Sequence, residues 1–234
     1  MIMNKKIIAV YPGRFQPMGK HHKDTYDWMV NTFGYDNSWI LSSDSVKLPK
    51  SPFTFEEKLM IAQTYGIPEE KFINTKVPYA HGTWTNLKAI LAERGLTLED
   101  VVVYYVVGAK DQKEDPRFTP GITKKGAPTY FQFEPPNTSA QHLADGTKHG
   151  YLAIAPHVEY ILPNGVESSG TELRNFLPTA SPEDFAIATG ITDPQIQELI
   201  RNKLPPPGML ESIVYGDKDV DQAIRSVFIK GLMK

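Results

Sequence analysis

The chain has 234 residues, 41% hydrophobic and 22% charged, with a formal net charge of −2 and no cysteine. That length can bury a substantial core, and the near-neutral charge gives no global pull toward nucleic acid or an anionic membrane. Without cysteine there are no disulfides, thiolate metal sites or cysteine nucleophile, which suits a reducing compartment. The first residues lack the apolar region of a signal peptide, and no apolar run reaches membrane-spanning length. The expectation is a soluble, cytoplasmic protein that needs neither nucleic acid nor membrane as partner.

Ile7 to Tyr11 form an apolar run that predicts a buried strand over residues 5–11. It stops at Pro12-Gly13, where Arg14, Lys20, His21, His22 and Lys23 crowd into a turn. A helix follows from about His22 to Phe33, with Tyr26, Met29, Val30 and Phe33 on its apolar face. A strand, a glycine turn and a helix start rich in cations describe a place to hold phosphate, because free amides and the positive dipole end attract anions. Residues 38–43 predict a second strand. A polar loop, 44–52, leads to Thr54 and Glu57, whose spacing predicts a capping box and a helix to Tyr65. Residues 72–77 predict a third strand and 84–94 a helix with Trp84, Leu87, Lys88 and Leu91 along one side.

Val101 to Val107, β-branched and aromatic throughout, predicts a central parallel strand covered on both faces. Strands alternating with helices predict an α/β, doubly wound, Rossmann-like parallel sheet with helices on both faces. The turn after strand one, SSDS after strand two and GAKD after strand four all fall on the carboxyl edge, where such folds bind ligands. Residues 111–150 read as a long loop with one short helix at 139–144. Short strands are expected at 151–155 and 158–162. Ser169 and Glu172 predict another capped helix, ended by Pro178. Ser181-Pro182 and Asp193-Pro194 each predict a helix start, and a last amphipathic helix is expected over 219–233. The domain reading is 1–178 for the nucleotide-handling domain and 179–234 for a helical extension packed on it.

In SSGTELR, Ser169 as N-cap would leave the amides of Gly170 and Thr171 near the helix start. Thr171 and Arg174, three apart, share a face, and a hydroxyl beside a guanidinium suits a polyphosphate. A well-capped surface helix with an exposed arginine explains the same residues without chemistry. His81, His142, His149 and His157 show no ligand spacing, so no protein metal site is expected.

GRFQPMGKHHKDTY resembles the signature turn of the nucleotidyltransferase superfamily named for its H-x-G-H motif, whose common form is GRFQP-x-H-x-G-H. SGTELR is similar to that superfamily's second signature, ISSTxIR or SGTExR, in matching order and separation. PFTFEEK at 52–58 resembles the PFT-x-x-ER segment of archaeal-type nicotinamide-mononucleotide adenylyltransferases. Together the pieces cover about residues 5–177. The resemblance implies a transferase that joins a nucleoside triphosphate, ATP foremost, to a phosphorylated acceptor such as nicotinamide mononucleotide, as in NAD biosynthesis, with release of pyrophosphate and with Mg2+ carried by the nucleotide. It implies His22, Thr171 and Arg174 as catalytic residues. Gly13, Arg14, Phe15, Gln16, Pro17, Lys20, Gly108, Ser169 and Gly170 would bind nucleotide, and Lys50 and Trp84 the acceptor, Trp84 by stacking. Homo-oligomers are common in the superfamily. Two departures stand out: Gly19 occupies the place of the first histidine, and Lys58 that of the arginine in PFT-x-x-ER. A related transferase using CTP or another phosphorylated acceptor, and a nucleotide-binding module without turnover, stay open beside the leading reading.

Overall fold

The structure, a computed structural model, describes residues 5–48, 50–114 and 134–204. Five strands, β1 Lys6–Pro12, β2 Ser38–Ser42, β3 Phe72–Asn74, β4 Val101–Gly108 and β5 Tyr151–Ala155, form one sheet in the order β3-β2-β1-β4-β5. Every pairing is parallel, with Ala9 opposite Ser38 on one side of β1 and Lys6 opposite Val101 on the other. The order reverses between β1 and β4, so the chain leaves these neighbours in opposite directions and opens a crevice at their carboxyl ends. The expected doubly wound α/β fold is therefore the observed one.

Contacts divide the chain into two units. Of the described residues, the first comprises those in 5–15, 21–44 and 66–158; the second comprises those in 16–20, 45–65 and 159–204. The first unit holds the whole sheet. Alternation along β1 sends Ile8 and Val10 to one face, where they join Trp39, Leu41, Val103 and Tyr105 beneath Trp84, Leu87 and Leu91 of the α3 segment (Thr85–Glu93). The other face receives α1 (Lys20–Phe33), whose Phe33 ring lies 5.1 Å from that of Tyr104. Both faces of β4 are thus covered, and Val101 through Val107 are buried, as its unbroken apolar sequence requires. A six-residue helix, α4 (Ala109–Glu114), follows β4 directly where a loop was expected.

The second unit contains α2 (Phe55–Thr64), α5 (Gly170–Phe176), α6 (Pro182–Thr189) and α7 (Pro194–Lys203). The capping box at Thr54 and Glu57 forms in both directions. At Ser169 the cap is one-sided: its hydroxyl accepts from the Glu172 amide. Ser181 and Asp193 cap α6 and α7, each with proline in the first turn. The strand expected at 158–162 is replaced by a narrow hairpin. Leu162 N donates to Val166 O and Ser168 N to Tyr160 O, around Gly165 at φ 82°. Asn164-Gly165 is a turn signal, and it leaves too little chain for a sheet strand. The helix expected at 219–233 lies outside the described residues.

One buried polar link ties three segments of the first unit. His81 Nδ1 lies 2.8 Å from the Tyr105 hydroxyl and Nε2 lies 2.9 Å from the Gly146 carbonyl. The carbonyl must receive the Nε2 proton, so the neutral tautomer accepts from the tyrosine. Burial pushes the His81 pKa down to about 4, against the smaller opposing effect of the Gly146 bond. The unfolded chain therefore takes up this proton first, and stability is full above pH 6.5 and declines as pH falls toward 4. That link is worth on the order of 3 kcal/mol at most. Urea unfolding between pH 7.5 and 4.5 is expected to show this decline, and His81→Gln to be less stable at pH 7.5 with a shallower slope.

Candidate functional site

The turn after β1 is shaped by a glycine and a phenylalanine. Phe15 has φ 47°, a left-handed conformation uncommon outside glycine. Its ring folds back over Gly13, where an added Cβ would stand 2.3 Å from the ring. The ring is buried, edge-on to Tyr11 at 5.3 Å and to His22 at 5.2 Å, and 5.8 Å from Phe72. A conformation held against its local preference persists only where surrounding packing over-determines it, and such positions cluster at functional sites. The Gly13 amide donates to the Leu41 carbonyl at 3.0 Å, so it extends the sheet instead of waiting for phosphate. Gly13 is needed for its missing side chain.

His21 and His22 open α1 with ring centroids 3.9 Å apart. His22 is partly exposed yet closely surrounded; burial, then the neighbouring His21, hold its pKa well below the usual histidine value. It is a neutral imidazole at pH 7, able to donate one N–H. Burial also lowers the His21 pKa, opposed by Asp111 and Asp24, while His157 and Lys110 add to the lowering. Asp111 follows β4 and His157 follows β5, so both stand on the carboxyl edge at which β1 delivers the histidines. Strand order alone puts GAKD, and with it Asp111, on this edge, whereas His157 is a single histidine without ligand spacing and carries no such signal in the sequence. Gly108 ends β4, and a Cβ there would meet Asp111 at an ordinary 3.6 Å. Nothing in the protein demands glycine at that position.

In the second unit Gln16 is the hub. Its buried side chain donates to the Phe53 carbonyl at 3.2 Å and accepts from the Phe53 amide at 2.9 Å. Its backbone carbonyl accepts from Arg174 Nη1 at 3.1 Å, and Arg174 Nη2 donates to Thr171 Oγ1 at 3.1 Å. Gln16, expected to bind nucleotide, is thus occupied in joining GRFQP to both PFT and SGTELR. Pro17 is buried beside it, following a cis peptide bond. Lys20 Nζ donates to the Ile187 carbonyl in the last turn of α6, where the helix dipole favours a cation, and lies 5.6 Å from the Tyr160 ring. Arg14, Lys50 and Thr171 are exposed; Ser169 and Gly170 are partly so.

One expectation is overturned. Trp84 is fully buried, with its ring 5.4 Å from that of Tyr105 and 5.7 Å from that of His81, so it has no surface on which an acceptor ring could stack. Helical spacing sets it on the same side as Leu87 and Leu91, which are buried with it. Among the described residues no group of three or more acidic or histidine side chains could hold a metal ion, and no helix is long and apolar enough to cross a membrane.

Fold and edge define a doubly wound α/β protein with an occupied-looking turn at its switch point. No family model and no curated protein matches the chain. Among solved structures it is similar to Plasmodium falciparum nicotinic acid mononucleotide adenylyltransferase complexed with NaAD (TM-score 0.46) and with APC (TM-score 0.44). Each is 16% identical, over 83% of this chain and 94% of that one. A candidate nicotinate-nucleotide adenylyltransferase from Vibrio parahaemolyticus gives a TM-score of 0.43 at 15% identity, over 85% of this chain and 94% of that one. Likeness this loose says nothing about substrate.

Because the Phe15 ring is confined by Tyr11, His22 and Phe72, Gly13→Ala cannot be absorbed by a simple swing. Overpacking of about 1–3 kcal/mol is expected, read as a lowered urea midpoint with the slope unchanged.

Proposed function

We propose that the chain is a nucleotidyltransferase that joins ATP to a phosphorylated small-molecule acceptor, nicotinamide mononucleotide foremost, in an NAD-forming step. The observation that carries this reading is the Arg174 bond to the Gln16 carbonyl, between segments 158 residues apart. It links the two stretches, GRFQP and SGTELR, that resemble the two superfamily signatures. The turn's position at the β1–β4 switch point supports it.

In the proposed reaction an acceptor phosphate oxygen attacks the α-phosphorus. The new P–O bond forms as the bond to the α–β bridging oxygen breaks, and pyrophosphate leaves with that electron pair. The acceptor phosphate is already ionised at neutral pH, so no general base is needed and catalysis rests on alignment and charge stabilisation. His22, neutral in the free protein, donates an N–H to the phosphates, and their negative charge favours its protonation as pyrophosphate departs. Arg174 and Thr171 present a guanidinium and a hydroxyl. Arg14 supplies an exposed cation, and Lys20 does so on release of the Ile187 carbonyl. Ser169 and Gly170 belong to the same nucleotide set, Gly108 admits the base, and Lys50 meets the acceptor phosphate. Mg2+, carried by the triphosphate and not by a protein site, would supply neutralisation of charge on the phosphate oxygens.

The burial of Gly19 where the superfamily has a histidine favours a second reading, a nucleotide-binding module without turnover. A pyrophosphate-release assay with ATP or CTP and a panel of phosphorylated acceptors separates the readings, with calorimetry of Mg-ATP binding alongside. Turnover is expected with ATP, and binding without pyrophosphate from any pair would establish the module. His22→Ala and Arg174→Ala are expected to lower turnover by two or more orders of magnitude in folded protein; near-normal rates would remove both from the site. Gly108→Ala should keep wild-type stability while weakening ATP binding at least tenfold, as measured by calorimetry.

A further inference from the structure

At the amino edge of the sheet, away from the turn after β1, the first unit has a cavity of about 500 Å³. Its apolar wall is Ile8, Leu91 and Leu96, and Lys6, Arg94 and Asp36 bring charge to it. The volume falls in the range of metabolite sites. A smaller apolar recess of about 270 Å³ shares Leu91 and Leu96 with it.

The positive charge here is built into the fold. The Arg94 guanidinium lies 5.0 Å from the centre of the Trp39 ring, and Lys71 Nζ lies 4.7 Å from the same ring. Lys71, 3% exposed, also sits 4.1 Å from the Tyr35 ring and donates to the Tyr35 carbonyl at 2.6 Å. Arg94 Nη1 donates to the Asp36 carbonyl at 2.6 Å. Both cations therefore rest on ring faces and backbone carbonyls. Among the described residues no carboxylate forms an ion pair with Lys6, Lys71 or Arg94. Two cations against one indole repel each other, and burial with the Arg94 charge depresses the Lys71 pKa. Lys6 and Arg94 stand on the wall against a single carboxylate, Asp36, an excess of one positive charge, with Lys71 a further cation behind the Trp39 ring. Guanidinium has five donors, and with one of them on Asp36 the fork can still meet a ligand.

We propose that this cavity is a second small-molecule site that takes an anionic headgroup, a phosphate monoester or a carboxylate, on Lys6 and Arg94, with a compact apolar body against Ile8, Leu91 and Leu96. It is independent of the transferase reading. The test titrates phenyl phosphate into the full chain and follows backbone amide shifts by NMR, with benzoate, inorganic phosphate and phenol as parallel arms. Saturable shifts at Lys6, Asn37, Arg94 and Leu96 are expected with phenyl phosphate or benzoate, and the stronger of the two identifies the headgroup. Inorganic phosphate should bind more weakly and phenol should not saturate. Arg94→Gln and, separately, Lys6→Gln should each weaken binding at least tenfold while the rest of the spectrum is kept; should Arg94→Gln not fold, Lys6→Gln decides. The proposal is overturned by the absence of saturable shifts at these residues, by shifts confined to residues 13–22, by equal shifts with phenol, or by unchanged affinity in a folded variant.

Discussion

The closure of the Phe15 ring over Gly13 is the constraint on which the site depends. A side chain at residue 13 would occupy the ring's place, and a ring displaced from there would lose Tyr11, His22 and Phe72 together. Phe15, with its left-handed backbone, is the last residue of its stretch of the first unit, and Gln16 begins the second. The Gly13–Phe15 pair thus sets the packing of His22 in the first unit, and within the second unit Arg174 holds the Gln16 carbonyl. Local strain is carried by burial on one side and by hydrogen bonds on the other.

The electrostatics of the two sheet edges differ in kind. At the carboxyl edge burial disfavours charge, and it holds the pKa values of His21 and His22 below the usual histidine value. At the amino edge charge is retained, because Arg94 and Lys71 keep aromatic faces and carbonyls as partners. A neutral donor that gains a proton as negative charge builds suits a reaction in which charge moves. A standing cation suits a ligand that binds and leaves unchanged.

Much of the fold was legible because its signals are local. Val101–Val107 could be little other than a covered parallel strand, and Thr54, Ser181 and Asp193 announce their helices through side chains a few residues away. The motif residues were legible as a set, but their tasks were not. Gln16 looks like a ligand group until Phe53 is brought against it from 37 residues away. Trp84 matched an expected stacking residue, while the same heptad-like spacing that put it beside Leu87 and Leu91 also buried it. Asp111 and His157 gain meaning only once β4 and β5 align at one edge. The tasks of Gln16, Asp111 and His157 depend on tertiary pairing, which residue type and spacing do not encode.

The strand order has a consequence for how the crevice comes into being. β1 pairs with β2 across a single helix, but with β4 only after β2, β3 and the intervening helices have been laid down. Closing the longer loop costs more chain entropy and is the slower step. The residues of β1 and β2, with the histidine turn between them, are synthesised before those of the neighbouring wall, β4. The crevice at the switch point exists only once β4 has paired with β1.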